Sequence, residues 1–391
     1  MSAVGVAGYS EASMSLRRTV GSVAAVALVV AGTVLPATPA VGAVASGAVF
    51  NNPTVAAEQN RIVDHVRGLV QGAPAGSTVS IAMYHWTSTS VADDIVAAHN
   101  RGVNVRLVLD YLSEQYPAVD TMRAALGSNR ANRSWLTFCT QGAACIGNSG
   151  SPIMHNKFYL FSSTSGSTDV VVQSSANLTA SNATGYWNNA VTLVGNAGLY
   201  NAYLDYFDDL AAKAKNGDYY RTVGSGNAKA YFFPRAGSDR TTDTIYNMLN
   251  ENVTCEGNTT VGTETGRTIV RIGMWYFSRN GIAEELRSLA DRKCWIEVVY
   301  TTMDADVLGI LDGHSRIVLY RISGEHIVHS KYMLIEGTYA GTRNSKWVMT
   351  GSHNYTNAAL RENDEALLRI ESATIHDQYR SNFWALRAAA S

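Results

Sequence analysis

The chain has no excess of charge of either sign: 31 residues are Lys or Arg and 32 are Asp or Glu among 391, a formal net charge of −1. A protein that grips polyanions along its surface draws on a basic excess, and no overall field of that kind exists here. Cysteine is scarce, four residues in all, with no C-x-x-C pair and no neighbouring histidine cluster, which argues against a thiolate metal centre. A P-loop is missing, and no G-x-G-x-x-G follows a strand, so nucleotide-dependent chemistry has no support. Gly147–Pro152 faintly resembles a serine-protease nucleophile loop, but its Asp is absent and no matching His segment precedes it. The N-terminal apolar run, Val20 to Leu35, has 16 residues where a bilayer span needs about 20.

What is present is an ordinary globular balance, 46% hydrophobic and 16% charged, over a length that suits one large domain or two of usual size. The short apolar run follows Arg17 and Arg18 and leads through small residues and prolines to Ala43-Val44-Ala45. That is the pattern of a cleaved export signal over residues 1–45, with an N-terminal membrane anchor as the alternative. Export makes the mature chain secreted, with a net charge of about −2 once the leader is removed. In that setting an even number of cysteines reads as two disulfides, Cys139 with Cys145 and Cys255 with Cys294, each inside its own half.

An internal duplication organises the rest. Val79–Tyr84 matches Val270–Trp275 at an offset of 191, and the offset carries Asp94 onto Glu285, Arg101 onto Arg292 and Val105–Val108 onto Ile296–Val299. Each copy reads as strand, capped helix, strand, which predicts adjacent parallel strands in a covered sheet. Further on, Ile153–Leu160 matches Ile327–Leu334 at an offset of 174, so the first half carries 17 additional residues within Tyr111–Pro152. Ser174–Thr179 then matches Gly351–Thr356, and Asn188–Leu193 is set against Asp364–Arg369. The halves are expected at 46–222 and 223–391, joined by a connector at Asn216–Asn227. Helices at Asn196–Lys215 and His376–Ala390 are expected to close them.

Each half thus carries H-x-K on a strand-like run, followed about 20 residues later by S-x-N: His155, Lys157, Ser175, Asn177, and His329, Lys331, Ser352, Asn354. In this the chain resembles the phospholipase D superfamily over nearly all of residues 48–387. The resemblance implies two α/β/α halves, each a mixed, mostly parallel sheet flanked by helices, packed about a pseudo-two-fold axis around one shared site. It also implies chemistry on a phosphodiester: one imidazole attacks phosphorus, the other protonates the leaving oxygen and then activates water. Lys157, Lys331, Asn177 and Asn354 would hold the phosphoryl oxygens, with no metal or other cofactor called for. The Asp that family members place five residues after each Lys is replaced here by Ser162 and Glu336.

Family members also set an acidic residue 25 to 36 positions after each His, which supports the His of the opposite half. The matching positions are Asn189 and Glu365, so Glu365 is expected behind His155 and a neutral amide behind His329. Ser175, Ser352 and Asn189 are expected to add substrate contacts, with Trp86 and Trp275 drawn from the aromatic groups Tyr84–Trp86 and Trp275–Phe277 at the cleft rim. His85 and His353 are the other histidines placed to line the cleft. The expected substrate is a phospholipid or another phosphodiester, met in transient contact with a membrane surface by a monomer. A secreted endonuclease acting on nucleic acid, and a non-catalytic lipid- or wall-binding protein, are the alternatives.

Overall fold

The computed structural model describes residues 42–390. The expected leader therefore lies, for residues 1–41, outside the described residues. Among the described residues no helix is long and apolar enough to cross a membrane. Val44, just past them, is already tied to the fold through its N–H, which donates to Ser167 Oγ at 3.0 Å.

Two sheets form in succession. The first has seven strands in the order Gly47–Phe50, Asn189–Leu193, Ser167–Ser174, Lys157–Thr164, Thr78–Met83, Asn104–Leu109, Trp135–Phe138. The second repeats that order with Ala228–Phe232, Ala366–Glu371, Thr342–Gly351, Lys331–Tyr339, Ile269–Phe277, Trp295–Met303 and Ile317–Arg321. It adds Arg221–Ser225 at one edge and Val253–Thr254 on the Lys331–Tyr339 strand. Arg221–Ser225 was expected within the connector; it is a strand because Ser225 through Arg221 pair in register with Ala228 through Phe232.

The strand–helix–strand units are parallel as their spacing requires, Thr78–Met83 with Asn104–Leu109 and Ile269–Phe277 with Trp295–Met303. The expectation of mostly parallel sheets does not hold, because antiparallel pairings outnumber parallel ones in both. One antiparallel pair in each sheet is set locally. Each strand that begins at the motif lysine runs into a tight turn, Ser165-Gly166 in one half and Ala340-Gly341 in the other, with positive φ at both turn residues (46° and 75°, 50° and 80°). Such turns match the twist of an antiparallel pair and reverse the chain at once. Both disulfides, Cys139–Cys145 and Cys255–Cys294, are formed.

Three apolar layers hold the sheets. Helices Arg61–Gln71, Thr89–Asn100 and Pro117–Leu126 cover the outer face of the first sheet, and Thr244–Asn250 and Asn280–Asp291 that of the second. Between the sheets lie the long helices Ala197–Ala212 and Ala373–Ala389. Their aromatic faces mix side chains of both halves: Tyr206 stacks on Phe232 with ring centroids 4.4 Å apart, and Tyr379 meets Phe50 edge-on at 4.9 Å. Burying rings of this size stabilises by roughly 1.5–3 kcal/mol each. The central layer therefore fixes the motif strands of one half against those of the other.

Candidate active site

Each H-x-K motif enters its strand from an extended segment that crosses to the other half. Val328 and Ile327 pair in parallel with Trp187 and Tyr186, and Met154 bridges Asp364 in the same sense. His329 N–H donates to Trp187 O and His155 N–H to Asp364 O, both at 2.9 Å. The lysines follow two residues on, point the same way, and return to their own histidines: Lys157 Nζ to His155 O at 2.6 Å, Lys331 Nζ to His329 O at 2.5 Å. Both ammonium groups are buried, each over an aromatic ring, Tyr84 at 5.0 Å and Trp275 at 5.2 Å. Tyr84 and Trp275 hold equivalent places in the two repeats and lie 5.1 and 5.0 Å from the His155 and His329 rings.

The two imidazoles differ in what stands behind them. His155 Nδ1 meets Glu365 Oε1 at 2.9 Å, whereas His329 Nδ1 meets the amide Oδ1 of Asn188 at 2.8 Å. A carboxylate or amide oxygen at Nδ1 places the proton there and leaves Nε2 as the free, reactive nitrogen. Burial, and then the charges of Lys157 and Lys331, hold His155 well below the usual imidazole range. Burial, then Lys331, Lys157 and His155 itself, do the same to His329. Burial also draws Lys157 down to about 7 and Lys331 well below its ordinary value. Glu365 is pushed up to about 8 by burial, against the pull of Lys157 and Ser352. The histidine and lysine shifts have the sign expected of a dry cleft rich in cations, and an arriving phosphate would oppose them, whereas burial alone lifts Glu365.

The amide behind His329 is Asn188, not Asn189 as expected. Asn189 begins a strand and turns its Nδ2 inward to Thr350 Oγ1 and Tyr379 OH, both at 2.8 Å, so it belongs to the packing between halves. The signal for Asn188 was in the sequence: the offset of 177 that takes Ser175 to Ser352 and Asn177 to Asn354 takes Asn188 to Glu365. Ser175 and Ser352 are also reassigned. Both hydroxyls are fully buried and bonded within the protein, Ser175 to Asn188 and Ser352 to the Ala366 backbone. Ser175 Oγ donates to Asn188 Oδ1 at 2.9 Å, and the Ser352 side chain lowers the Glu365 carboxyl, so each serine steadies the group behind a histidine. Asn51, which carried no sequence signal, accepts Asn188 N–H at 2.7 Å and donates to the carbonyls of Asn182, Ala183 and Tyr186.

Asn177 and Asn354 sit at the cleft with Oδ1 atoms that have no partner inside the protein. Trp275 is half-exposed beside His329, but Trp86 is fully buried. The chain tucks under the S-x-N turn at that point, Trp86 bridging Leu178 while its indole N–H donates to Ser88 O at 3.0 Å. His353 is buried against Phe233, 4.6 Å between rings, and His85 lies partly exposed against Tyr116. Tyr186, 5.5 Å from the His329 ring and stacked on it, was not foreseen. Ser162 and Glu336 lie down their strands from the site: Ser162 Oγ accepts Thr78 N–H, and Glu336 is ion-paired with Arg271 and Arg380.

Behind Glu365, the insertion of the first half reaches across. The amides of Cys145, Ile146 and Gly147 donate to the Asp364 carboxylate at 2.7 to 3.2 Å. Asp364 N–H in turn donates to Ile153 O at 3.0 Å. The loop closed by Cys139–Cys145 thereby holds the residue next to the His155 partner.

A family model described as "Cardiolipin synthase, PLD-like domain" matches residues 73–211 and 265–387, one stretch in each half. No curated protein matches the chain by sequence. Among solved structures, polyphosphate kinase from Porphyromonas gingivalis superposes with a TM-score of 0.58 at 11% identity, over 88% of this chain and 50% of its own. Phosphatidylserine synthase from Haemophilus influenzae Rd KW20 gives 0.59 at 10% identity, over 83% of this chain and 84% of its own. At these identities the likeness is one of fold, and this chain spans half the length of the kinase.

Proposed function

The chain belongs to the phospholipase D superfamily, and from that premise we propose that it is a secreted phosphodiesterase that hydrolyses phospholipids to phosphatidic acid and a free alcohol. The observation that carries the reading is the pair of histidines, each backed at Nδ1 by a residue of the other half and flanked by a buried lysine. Two imidazoles with free Nε2 atoms suit a two-step displacement. His155 Nε2 attacks phosphorus, forming a P–N bond as the bond to the leaving oxygen breaks. His329, made imidazolium by a proton taken up at Nε2 as the phosphate anion enters, gives that proton to the leaving oxygen. Water then attacks phosphorus, its proton passes to His329, and the P–N electron pair returns to His155.

His155 is assigned as nucleophile because its phosphorylated ring is cationic, and Glu365 at Nδ1 compensates that charge. His329, with a neutral amide behind it, suits proton transfer in both directions. Lys157, Lys331, Asn177 and Asn354 offer donors to the non-bridging oxygens as charge builds on them. A phospholipid is favoured over a polynucleotide because the chain has no basic excess and its cleft is rimmed by Tyr84, Tyr186 and Trp275. Export belongs to the same proposal, resting on the N-terminal pattern and the two disulfides.

The test is a side-by-side assay on phosphatidylcholine vesicles and single-stranded DNA, each with and without EDTA. Release of choline that survives chelation supports the reading, since lysines supply the charge. Cleavage of DNA alone would replace it with the endonuclease reading, and turnover of neither diester would leave a binding protein.

A further inference from the structure

The second half holds a cavity that the histidines do not use. It lies between the helix Thr244–Asn250 and the sheet face of strands Ala228–Phe232 and Ala366–Glu371, with a volume of about 390 Å³ and a largely polar wall. Three cations line it, Lys229, Arg235 and Arg369, against one carboxylate, Glu251. Lys229 and Arg369 are direct partners across the antiparallel pair. Like charges set opposite each other in this way repel and destabilise a sheet unless something lies between them.

Nothing in the described residues neutralises them. None of the three cations has a carboxylate oxygen within 4.0 Å, and Arg369 Nε is buried without an acceptor. Each is held instead by an aromatic face: Lys229 over Tyr231 at 5.2 Å, Arg235 over Tyr220 at 4.3 Å, and Arg369 over Trp347 at 5.1 Å. A ring positions a cation without using its charge-assisted hydrogen bonds; Arg235 gives one to Thr244 Oγ1 at 3.2 Å and keeps its other donors, so all three heads can still bind an anion. The Lys229 ammonium is held below its usual range by burial and by Arg369, as befits an uncompensated pair. The cavity is separate from the histidine cleft: none of the cleft residues lines it, and Arg369 lies four residues along extended chain from Glu365, about 13 Å.

We propose that this cavity binds a phosphate group carried on a small polar body of glycerol or sugar size. The charge calls for a strong, compact anion with several acceptor oxygens, and arginine supplies the planar fork that suits phosphate. The volume exceeds what a bare phosphate fills, and the polar wall disfavours an acyl chain. The site stands independently of the reading of the histidine pair.

Calorimetric titration with glycerol 3-phosphate tests it on the full chain, comparing wild type with Arg369→Gln and Lys229→Gln. The expected result is one binding site fewer in each variant, with turnover of bis(p-nitrophenyl) phosphate within twofold of wild type. In phosphate-free buffer each variant should also melt about 1 °C higher, because one of two repelling charges is gone. Sedimentation with vesicles containing phosphatidic acid separates the sources. Binding lost in Arg369→Gln assigns the site to a lipid headgroup, and binding retained assigns it to a free phosphomonoester. Equal stoichiometry in all three proteins, or variants that melt lower than wild type without phosphate, overturns the proposal. Failure of the hydrolase reading would appear separately, as absent turnover in wild type.

Discussion

His155 and His329 have equivalent positions in the duplication, yet one is backed by a carboxylate and the other by an amide. The difference lies in one side-chain oxygen at the same place in two repeats, Glu365 and Asn188. Replacing Asn188 with Ala should free the His329 ring and lower kcat about tenfold to a hundredfold. Asn189→Ala should leave kcat near wild type and lower the melting temperature, because it removes the hydrogen bonds to Thr350 and Tyr379. Steady-state rates and melting curves of the two variants check this, and the reverse pattern would return the role to Asn189. Sequence comparison named the wrong neighbour because it followed the apolar run after the motif. The unbroken spacing from S-x-N, which the fold preserves, pointed one residue earlier.

The same cleft sets a pH expectation. A lysine whose pKa falls to about 7 in the empty site is mostly neutral at pH 8, and a bound anion raises that pKa again. Binding of inorganic phosphate at pH 8 should therefore take up protons. Calorimetry in two buffers of different ionisation heat measures the uptake; a value of zero would mean the cleft is already charged when empty.

At the scale of elements, the cleft is assembled by exchange. The segment before each H-x-K motif pairs with the other half, and the loop closed by Cys139–Cys145 grips Asp364 beside Glu365. Burial pushes the Asp364 carboxyl up to about 7, while the amides of Gly147, Ile146 and Cys145 pull it down. Asp364→Asn removes the charge those amides serve and turns one acceptor into a donor facing them. The expected cost is on the order of 2–4 kcal/mol, with a fall in kcat as Glu365 loses its register with His155. Denaturant melts and rates on a soluble diester check both parts. An unchanged kcat would mean that Glu365 is held without the loop. The insertion was visible in the sequence as 17 additional residues, but nothing in its composition told that it would bind a carboxylate of the other half. Backbone amides act there, and they leave no residue signature. Trp86 misled for a related reason: alternation places side chains along a strand, and the strand ends at Met83 before the chain tucks inward.

For the whole molecule, the duplication was legible because both the chemistry and the strand order repeat. The antiparallel majority was not, since one pair per sheet follows from two-residue turns that Ser165-Gly166 and Ala340-Gly341 signal only weakly, and the others join strands distant in sequence. The central layer was legible as two helices with aromatic faces, but not as a structure shared between halves, with Tyr206 of the first against Phe232 of the second. That sharing brings two half-sites into one cleft, and the account turns on their unequal division of labour. The most direct measurement is to quench the enzyme at low temperature during turnover of a phosphodiester, digest it under conditions that preserve phosphoramidates, and map the modified residue by mass spectrometry. The account predicts a phosphoryl group on His155 that accumulates in His329→Ala supplied with a substrate bearing an activated leaving group. An adduct on His329, or none in either protein while turnover continues, would contradict it.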